Sequence, residues 1–291
     1  MTMVKPLIKT LRPKQWTKNL FIFAALVFDL KLFQAAPLFR TVAGFVLFCL
    51  LSSTIYLIND LVDIERDRQH PVKRNRPLAS GQLSPTVAIL AALGIGVICV
   101  PLAFVLEVDF GWIAVSYVIL MTIYSFFLKN VVIVDVMIIA IGFVLRVAAG
   151  AVLVHVERFS PWLYVCTTLL ALFIAIGKRR NELVLLKGNA NAHRAILDEY
   201  SLSFIDEMIS IISAATLIAY SLYTFSAENL PKNHTMMLTI PFVLYGLFRY
   251  LYLIHVQGEG GAPEEIVIKD KPLVINVGLW ALAVVLILYL T

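Results

Sequence analysis

Long apolar runs separated by short polar segments dominate this chain from residue 19 to residue 290. A helix that crosses a bilayer needs about 20 mostly apolar residues. Nine segments qualify: 19–36, 38–58, 84–106, 110–128, 131–153, 161–178, 202–226, 236–256 and 272–290. Asp29 and Lys31 interrupt the first of them. Pro161 and Pro272 stand where a first helical turn begins, which suits proline. Pro101 and Pro241 fall inside spans and predict kinks. The pattern predicts an all-α integral membrane protein, a single transmembrane domain over residues 1–291. Polar cap loops are expected at about 59–83, 178–201 and 257–271.

Composition agrees. Hydrophobic residues make up 60% of the chain, charged residues 15%, and the mean hydropathy is +0.87. Soluble domains are roughly 45–50% apolar. Cys49, Cys99 and Cys166 lie in apolar runs and read as buried thiols, not as a disulfide framework or a zinc site. The N-terminal cations are not followed by a short apolar core and a small-residue cleavage site, so no removable signal peptide is expected.

Lys and Arg set the orientation, because cytoplasmic loops carry the excess. With the N-terminus inside, 18 of the 24 cations fall on the inner side; Lys31, Arg40, Arg158 and Lys232 fall outside, and Arg146 and Arg249 within spans. The N-terminus is therefore expected in the cytoplasm and the C-terminus in the periplasm. The net charge of +5 suits loops facing anionic lipid and phosphates. No nucleic-acid signature is present.

The segment Asn59-Asp60-Leu61-Val62-Asp63-Ile64-Glu65-Arg66-Asp67 follows the second span. On a helix, Asp60, Asp63 and Asp67 share one face. Three stacked carboxylates repel unless a positive charge sits among them. A hard cation such as Mg2+ takes oxygen ligands and usually shares them with phosphates. The bland alternative is a solvated charged loop. The segment runs on into Arg66, Arg68, His70, Lys73, Arg74 and Arg76. Lys73 and Arg76 are candidate phosphate ligands, although a positive-inside anchor explains any single one of these cations as well.

The second inner loop opens Gly177-Lys178-Arg179-Arg180-Asn181-Glu182. Lys178, Arg179 and Glu182 can share a face, though helix C-termini attract cations anyway. Charges inside spans are expensive and are either functional or paired. Asp135 and Arg146 are about three turns apart and share a face; Tyr124 and Lys129 precede them at the inner edge. The tract Arg12-Pro13-Lys14-Gln15-Trp16-Thr17-Lys18-Asn19 reads as an interfacial anchor or as a lid of cations.

Asn59-Asp60-x-x-Asp63-x-x-x-Asp67 resembles the first aspartate motif of the UbiA superfamily of intramembrane prenyltransferases. The resemblance implies nine transmembrane helices around a central cavity, with cytoplasmic loops capping a Mg2+ site. Typical prenyl-transferring members carry a second aspartate-rich motif after the sixth span. Here that place reads Lys178-Arg179-Arg180-Asn181-Glu182, with one acid. This departure is similar to the branch that moves phosphoribose onto decaprenyl phosphate. So are Arg12-Pro13-Lys14-Gln15-Trp16-x-Lys18-Asn19, Asp67-x-x-x-His70-Pro71-x-Lys73-Arg74, Leu145-Arg146-x-x-Ala149-Gly150 and Gly177-Lys178-Arg179.

The resemblance implies Mg2+ as cofactor, phosphoribosyl pyrophosphate as donor and a polyprenyl phosphate as acceptor. It implies Asp60, Asp63 and Asp67 as catalytic metal ligands with Asn59 beside them. Substrate contacts then fall to Lys18, Asn19, Asn59 (as orienter or ligand), Lys73, Arg76, Tyr124, Lys129, Arg146, Lys178, Arg179 and Glu182. The acceptor is already ionised, so no general base is required. The implied location is the bacterial inner membrane, with the site facing the cytoplasm. A bundle with this many small residues could also self-associate into a homo-oligomer. Two rivals stay open: a UbiA-type enzyme that moves a prenyl chain to an aromatic or other acceptor, and a transporter in which Asp135, Arg146 and Arg249 mark a midplane pathway.

Overall fold

The computed structural model describes residues 3–70, 72–156, 161–186, 195–228, 230–258, 266 and 269–290. Among them every regular element is helical and no strand occurs. The expectations for 187–194, 259–265, 267 and 268 in the cap loops, and for Pro71, lie outside the described residues.

The chain clusters into two compact units. The first is built from Met1–Leu26, Lys31–Glu157 and Ala190–Ile196, and the second from Val27–Leu30, Arg158–Asn189 and Leu197–Thr291.

The first unit opens with α1 (Val4–Leu11), a 3-10 helix (Pro13–Phe23) and the start of α2 (Ala24–Phe28). Then come α3 (Ala35–Val62), α4 (Ile64–Gln69), α5 (Pro85–Leu106), α6 (Val108–Phe126) and α7 (Val134–Val154). α3 packs against α5, α6, α7 and the 3-10 helix. Phe48, Leu51, Phe110, Tyr117 and Leu153 form the core there. Ser84 and Pro85 start α5: the Val87 amide donates to Ser84 Oγ at 3.3 Å, a side-chain cap with proline in the first turn. Pro101 sits inside α5.

Eleven residues of 3-10 winding is a long run, since most are 3–4 residues. Its residues repeat every third position, so Trp16, Asn19 and Ile22 lie on one line. Each faces a partner. The Trp16 indole donates to Ser53 Oγ at 3.0 Å. Asn19 donates to Cys49 Sγ at 3.1 Å and Ser52 Oγ at 3.2 Å. Ile22 is fully buried, and its backbone passes so close to Gly150 of α7 that a Cβ there would strike the Ile22 carbonyl.

Arg146 locks this assembly. It donates to Asn19 Oδ1 at 2.7 Å, Tyr117 OH at 2.9 Å and the Gly142 carbonyl at 2.6 Å. Its guanidinium stands 4.7 Å from the Tyr117 ring centroid, a cation–π contact in a dry setting. Asp135 is fully buried in the first turn of α7.

Eight helices among the described residues are long and apolar enough to cross a membrane. The pattern predicts nine. The expected span over 19–36 is not one α-helix: the 3-10 helix ends at Phe23, α2 at Phe28, and α3 starts at Ala35. The break falls at the expected charges. Leu30 is left-handed (φ 57°), and Lys31 Nζ turns to the end of α7, donating to the Val154 and His155 carbonyls at 3.1 and 3.2 Å. Those carbonyls lack intrahelical partners, so the ammonium satisfies them.

The second unit contains α8 (Pro161–Leu186), α9 (Leu202–Ser226), α10 (Ile240–His255) and α11 (Lys271–Leu290). α9 packs between α8 and α10, and α10 against α11. Pro241 lies inside the span Thr235–His255, as expected. The irregularity beside it is a change of winding: a 3-10 turn (Thr235–Thr239) passes into the α-helix at Ile240, and Pro241 sits in that helix's first turn. Gly177 faces Tyr250, whose hydroxyl would collide with any Cβ there. Arg180 joins three helices, donating to Asp206 Oδ1 at 2.6 Å and the Ile254 carbonyl at 2.9 Å. Asp270 accepts from the Leu273 amide at 2.9 Å and takes Arg249 in a two-point pair at 3.1 and 2.8 Å.

Candidate active site

The acidic segment is helical through Gln69, not a loop from 59 onward. α3 ends at Val62 and α4 starts at Ile64. Asp63 forms the junction, with φ −98° and ψ 9°. The helical ladder persists across it: the Asp63 amide donates to the Asn59 carbonyl at 3.0 Å, and the Asp67 amide to the Asp63 carbonyl at 2.8 Å. The three carboxylates therefore stay close to one face despite the break. All three are buried.

Beyond α4, His70 Nδ1 accepts from the Val72 and Lys73 amides at 3.1 and 3.2 Å. That bends the chain into a 3-10 turn (Lys73–Asn75). Leu78 and Leu83 then anchor it against Leu57 of α3. The turn delivers Arg76 back onto the acids. Its Nη1 donates to Asp60 Oδ1 at 3.0 Å and to Asp67 Oδ2 at 2.6 Å, so one nitrogen bridges two carboxylates.

Two more cations complete the cluster. Lys129, in the 3-10 turn Leu128–Asn130, is 1% exposed and donates to Asp63 Oδ1 at 2.7 Å. Arg12 donates through Nη2 to Asp60 Oδ1 at 2.5 Å, and its guanidinium lies 4.9 Å from the Tyr56 ring centroid. Arg12 ends α1 in the left-handed region (φ 52°, ψ 61°). Pro13 disfavours the right-handed conformation for the residue before it, so the helix stops where the side chain can turn to Asp60. Lys9 Nζ donates to the Asn75 carbonyl at 3.4 Å and ties α1 to the Arg76 turn. Arg66, largely exposed, adds a looser pair to Asp63 Oδ1 at 4.0 Å. The three carboxylates thus meet three close cations and one distant one, and a paired set can be buried where an unpaired charge could not.

Of the residues singled out in the sequence, Asp60, Asp63, Asp67, Arg76 and Lys129 come together. Asn59 stands one residue before Asp60 and is half-buried, as are Lys18 and Lys73; Tyr124 is buried. Asn19 and Arg146 bond each other in the brace described above. Lys178, Arg179 and Glu182 lie in the second unit on α8. There Arg179 is buried and pairs with Glu182. Arg12 is the partner that sequence reading placed only in a general cationic tract. The signal for it was the Arg-Pro step that ends α1.

The donor set suits a hard divalent ion: three carboxylates and no sulfur. Each acid meets its close cations through one oxygen, Oδ1 of Asp60, Oδ1 of Asp63 and Oδ2 of Asp67. The second oxygen of each takes no part in those pairs. Among the described residues, no three acidic, imidazole or thiolate groups converge on a single ion position as they stand. Arg76 Nη1 lies between Asp60 and Asp67.

Fold and sequence together define a multi-pass membrane transferase. The family model of the UbiA prenyltransferase family matches residues 20–260, and the chain belongs to that family. It is 31% identical to the decaprenyl-phosphate phosphoribosyltransferase of Corynebacterium glutamicum, over 98% of this chain and 87% of that one. It is 32% identical to the decaprenyl-phosphate phosphoribosyltransferase of Mycolicibacterium smegmatis, over 96% of this chain and 91% of that one. The fold matches a UbiA homolog from Archaeoglobus fulgidus bound to DMAPP and Mg2+, with a TM-score of 0.75, 20% identity, and coverage of 98% and 99% of the two chains. A solved digeranylgeranylglyceryl phosphate synthase matches with a TM-score of 0.69 at 17% identity over 100% of both chains.

Proposed function

We propose that this protein transfers 5-phosphoribose from phosphoribosyl pyrophosphate to a polyprenyl phosphate, decaprenyl phosphate in the relatives' case, and releases pyrophosphate. The observation that carries the reading is the buried, ion-paired set of Asp60, Asp63, Asp67, Arg12, Arg76 and Lys129. Near full-length similarity to two enzymes named decaprenyl-phosphate phosphoribosyltransferase supports it.

In this reading Asp60, Asp63 and Asp67 hold Mg2+, with Asn59 beside them. When bound, the ion neutralises charge on the departing pyrophosphate. Lys18, Lys73 and Arg76 are the protein's own phosphate contacts, suited to oxygens that carry full charge. Lys129 holds Asp63 in place. In the second unit, Lys178 and Arg179 are cations of the kind a donor with an extra phosphate needs, and Glu182 orients Arg179. The acceptor phosphate arrives ionised, so no residue need remove a proton.

Residues 1–291 act as one transmembrane domain here, in the bacterial inner membrane with the site on the cytoplasmic side. Nine crossings remain the reading. The first of them, over 19–36, runs through the end of the 3-10 helix, α2 and the turn at Leu30 and Lys31, and its 3-10 residues rise about 2.0 Å each against 1.5 Å in an α-helix.

The test is transfer of label from phosphoribosyl pyrophosphate to decaprenyl phosphate by purified protein with Mg2+, stopped by EDTA. Turnover of a prenyl diphosphate with an aromatic acceptor, and none with phosphoribosyl pyrophosphate, would replace this reading with the prenyl-transferring one.

A further inference from the structure

We propose that Arg76 and Arg12 are resident counter-ions of Asp60 and Asp67 that leave these carboxylates as a divalent cation enters, so that the site exchanges guanidinium for metal. The inference rests on the metal reading above. Its basis is competition for the same oxygens. Asp60 Oδ1 takes both arginines, and Arg76 Nη1 reaches across to Asp67 Oδ2. Arg76 Nη1 stands 3.0 Å from Asp60 Oδ1 and 2.6 Å from Asp67 Oδ2, the place that an ion shared by those two oxygens would take at Mg–O distances of about 2.0–2.1 Å. An ion held by those two oxygens requires Arg76 to move out.

The three cations differ in how freely they can do so. Lys129 is 1% exposed and serves Asp63 alone among the three acids. The side chains of Arg12 and Arg76 are 26% and 25% exposed. Arg12 has the Tyr56 ring beside it as a resting surface, and Arg76 follows a short turn instead of sitting within a long helix. A released guanidinium is a planar fork that matches phosphate oxygens. The movement that admits the cation therefore also presents a positive group to the phosphates that come with it. Lys129 stays as the permanent charge.

The experiment measures Mn2+ binding to the full chain in detergent from the EPR signal of the free ion, with and without inorganic pyrophosphate. Arg76→Gln removes a like charge from the ion's position, so it should bind Mn2+ alone about tenfold more tightly than the unaltered protein. Pyrophosphate should tighten Mn2+ binding in the unaltered protein and do so less in Arg76→Gln. Arg12→Gln should move affinity the same way by a smaller factor, and it carries the test if Arg76→Gln does not fold. A merely structural arginine would give the opposite sign, because its loss would disorder the acids. Weaker or unchanged Mn2+ binding in both variants, with binding abolished in Asp60→Asn, would overturn the exchange and leave the metal reading standing. No Mn2+ binding by any form, with or without pyrophosphate, would overturn both.

Discussion

Lys129 Nζ donates to Asp63 Oδ1 at 2.7 Å across 66 residues of sequence, and almost no solvent reaches the ammonium. Removing one partner of a buried ion pair costs roughly 3–5 kcal/mol, because the other charge is left uncompensated. Lys129→Met should therefore lower the melting temperature sharply in detergent. The double variant Lys129→Met/Asp63→Asn should recover the part of that loss that belongs to this pair, since neither group is then left charged without the other. If the double variant is as unstable as the sum of the two singles, the pair does not carry this energy.

The adjacent Arg179 and Arg180 should separate by phenotype. Arg180 bonds Asp206 and the Ile254 carbonyl. Hydrogen bonds to charged groups contribute roughly 1.5–3 kcal/mol, so Arg180→Ala should lose stability on that scale. Arg179→Gln should instead raise KM for phosphoribosyl pyrophosphate with a smaller change in melting temperature. An unchanged KM together with an equal loss of stability would make Arg179 another brace.

Asp270 sets a dependence on acid. Its hydrogen bonds from Arg249 hold the carboxyl below the ordinary carboxylate range, and the Leu273 amide adds to this. A depressed folded-state value means that the stabilisation is present above the unfolded value, about 3.9, and is lost as pH falls through the folded one. The tie between α10 and the start of α11 should thus hold at neutral pH and weaken only in acid below about pH 4. Asp270→Asn should flatten that part of a melting-temperature profile. An unaltered profile would remove Asp270 from the account.

Two glycines should respond with opposite signs. A helical Gly→Ala change ordinarily gains up to about 1 kcal/mol. Gly94 in α5 has open space around its Cβ position, so Gly94→Ala should stabilise. Gly150→Ala forces the new Cβ into the Ile22 carbonyl and should cost about 1–3 kcal/mol. Equal effects would mean that the close approach of α7 to the 3-10 helix is not needed.

The long spans and the carboxylate spacing were legible because both are local: hydropathy within a window, and three acids within eight residues. The rest depended on distant partners. Asn19 and Arg146 each stand out in the sequence as polar residues in apolar surroundings, but nothing local says that they bind each other across 127 residues. Arg12 looks like an interfacial cation until the chain turns it onto Asp60. The winding at the start of segment 19–36 was not legible because the contact line that enters it, through Trp16, Asn19 and Ile22, repeats every three residues. An expected period of 3.6 blurs that line into ordinary amphipathicity.

That period of three constrains how this segment can change length over evolutionary time. A one-residue insertion between Trp16 and Ile22 would turn everything on one side of it by about 120°, carrying Asn19 off Arg146 or Ile22 off Gly150. An insertion of three would restore the azimuth of every side chain and shift it by about 6 Å along the axis. Length variants that still fold should therefore differ here by whole multiples of three residues.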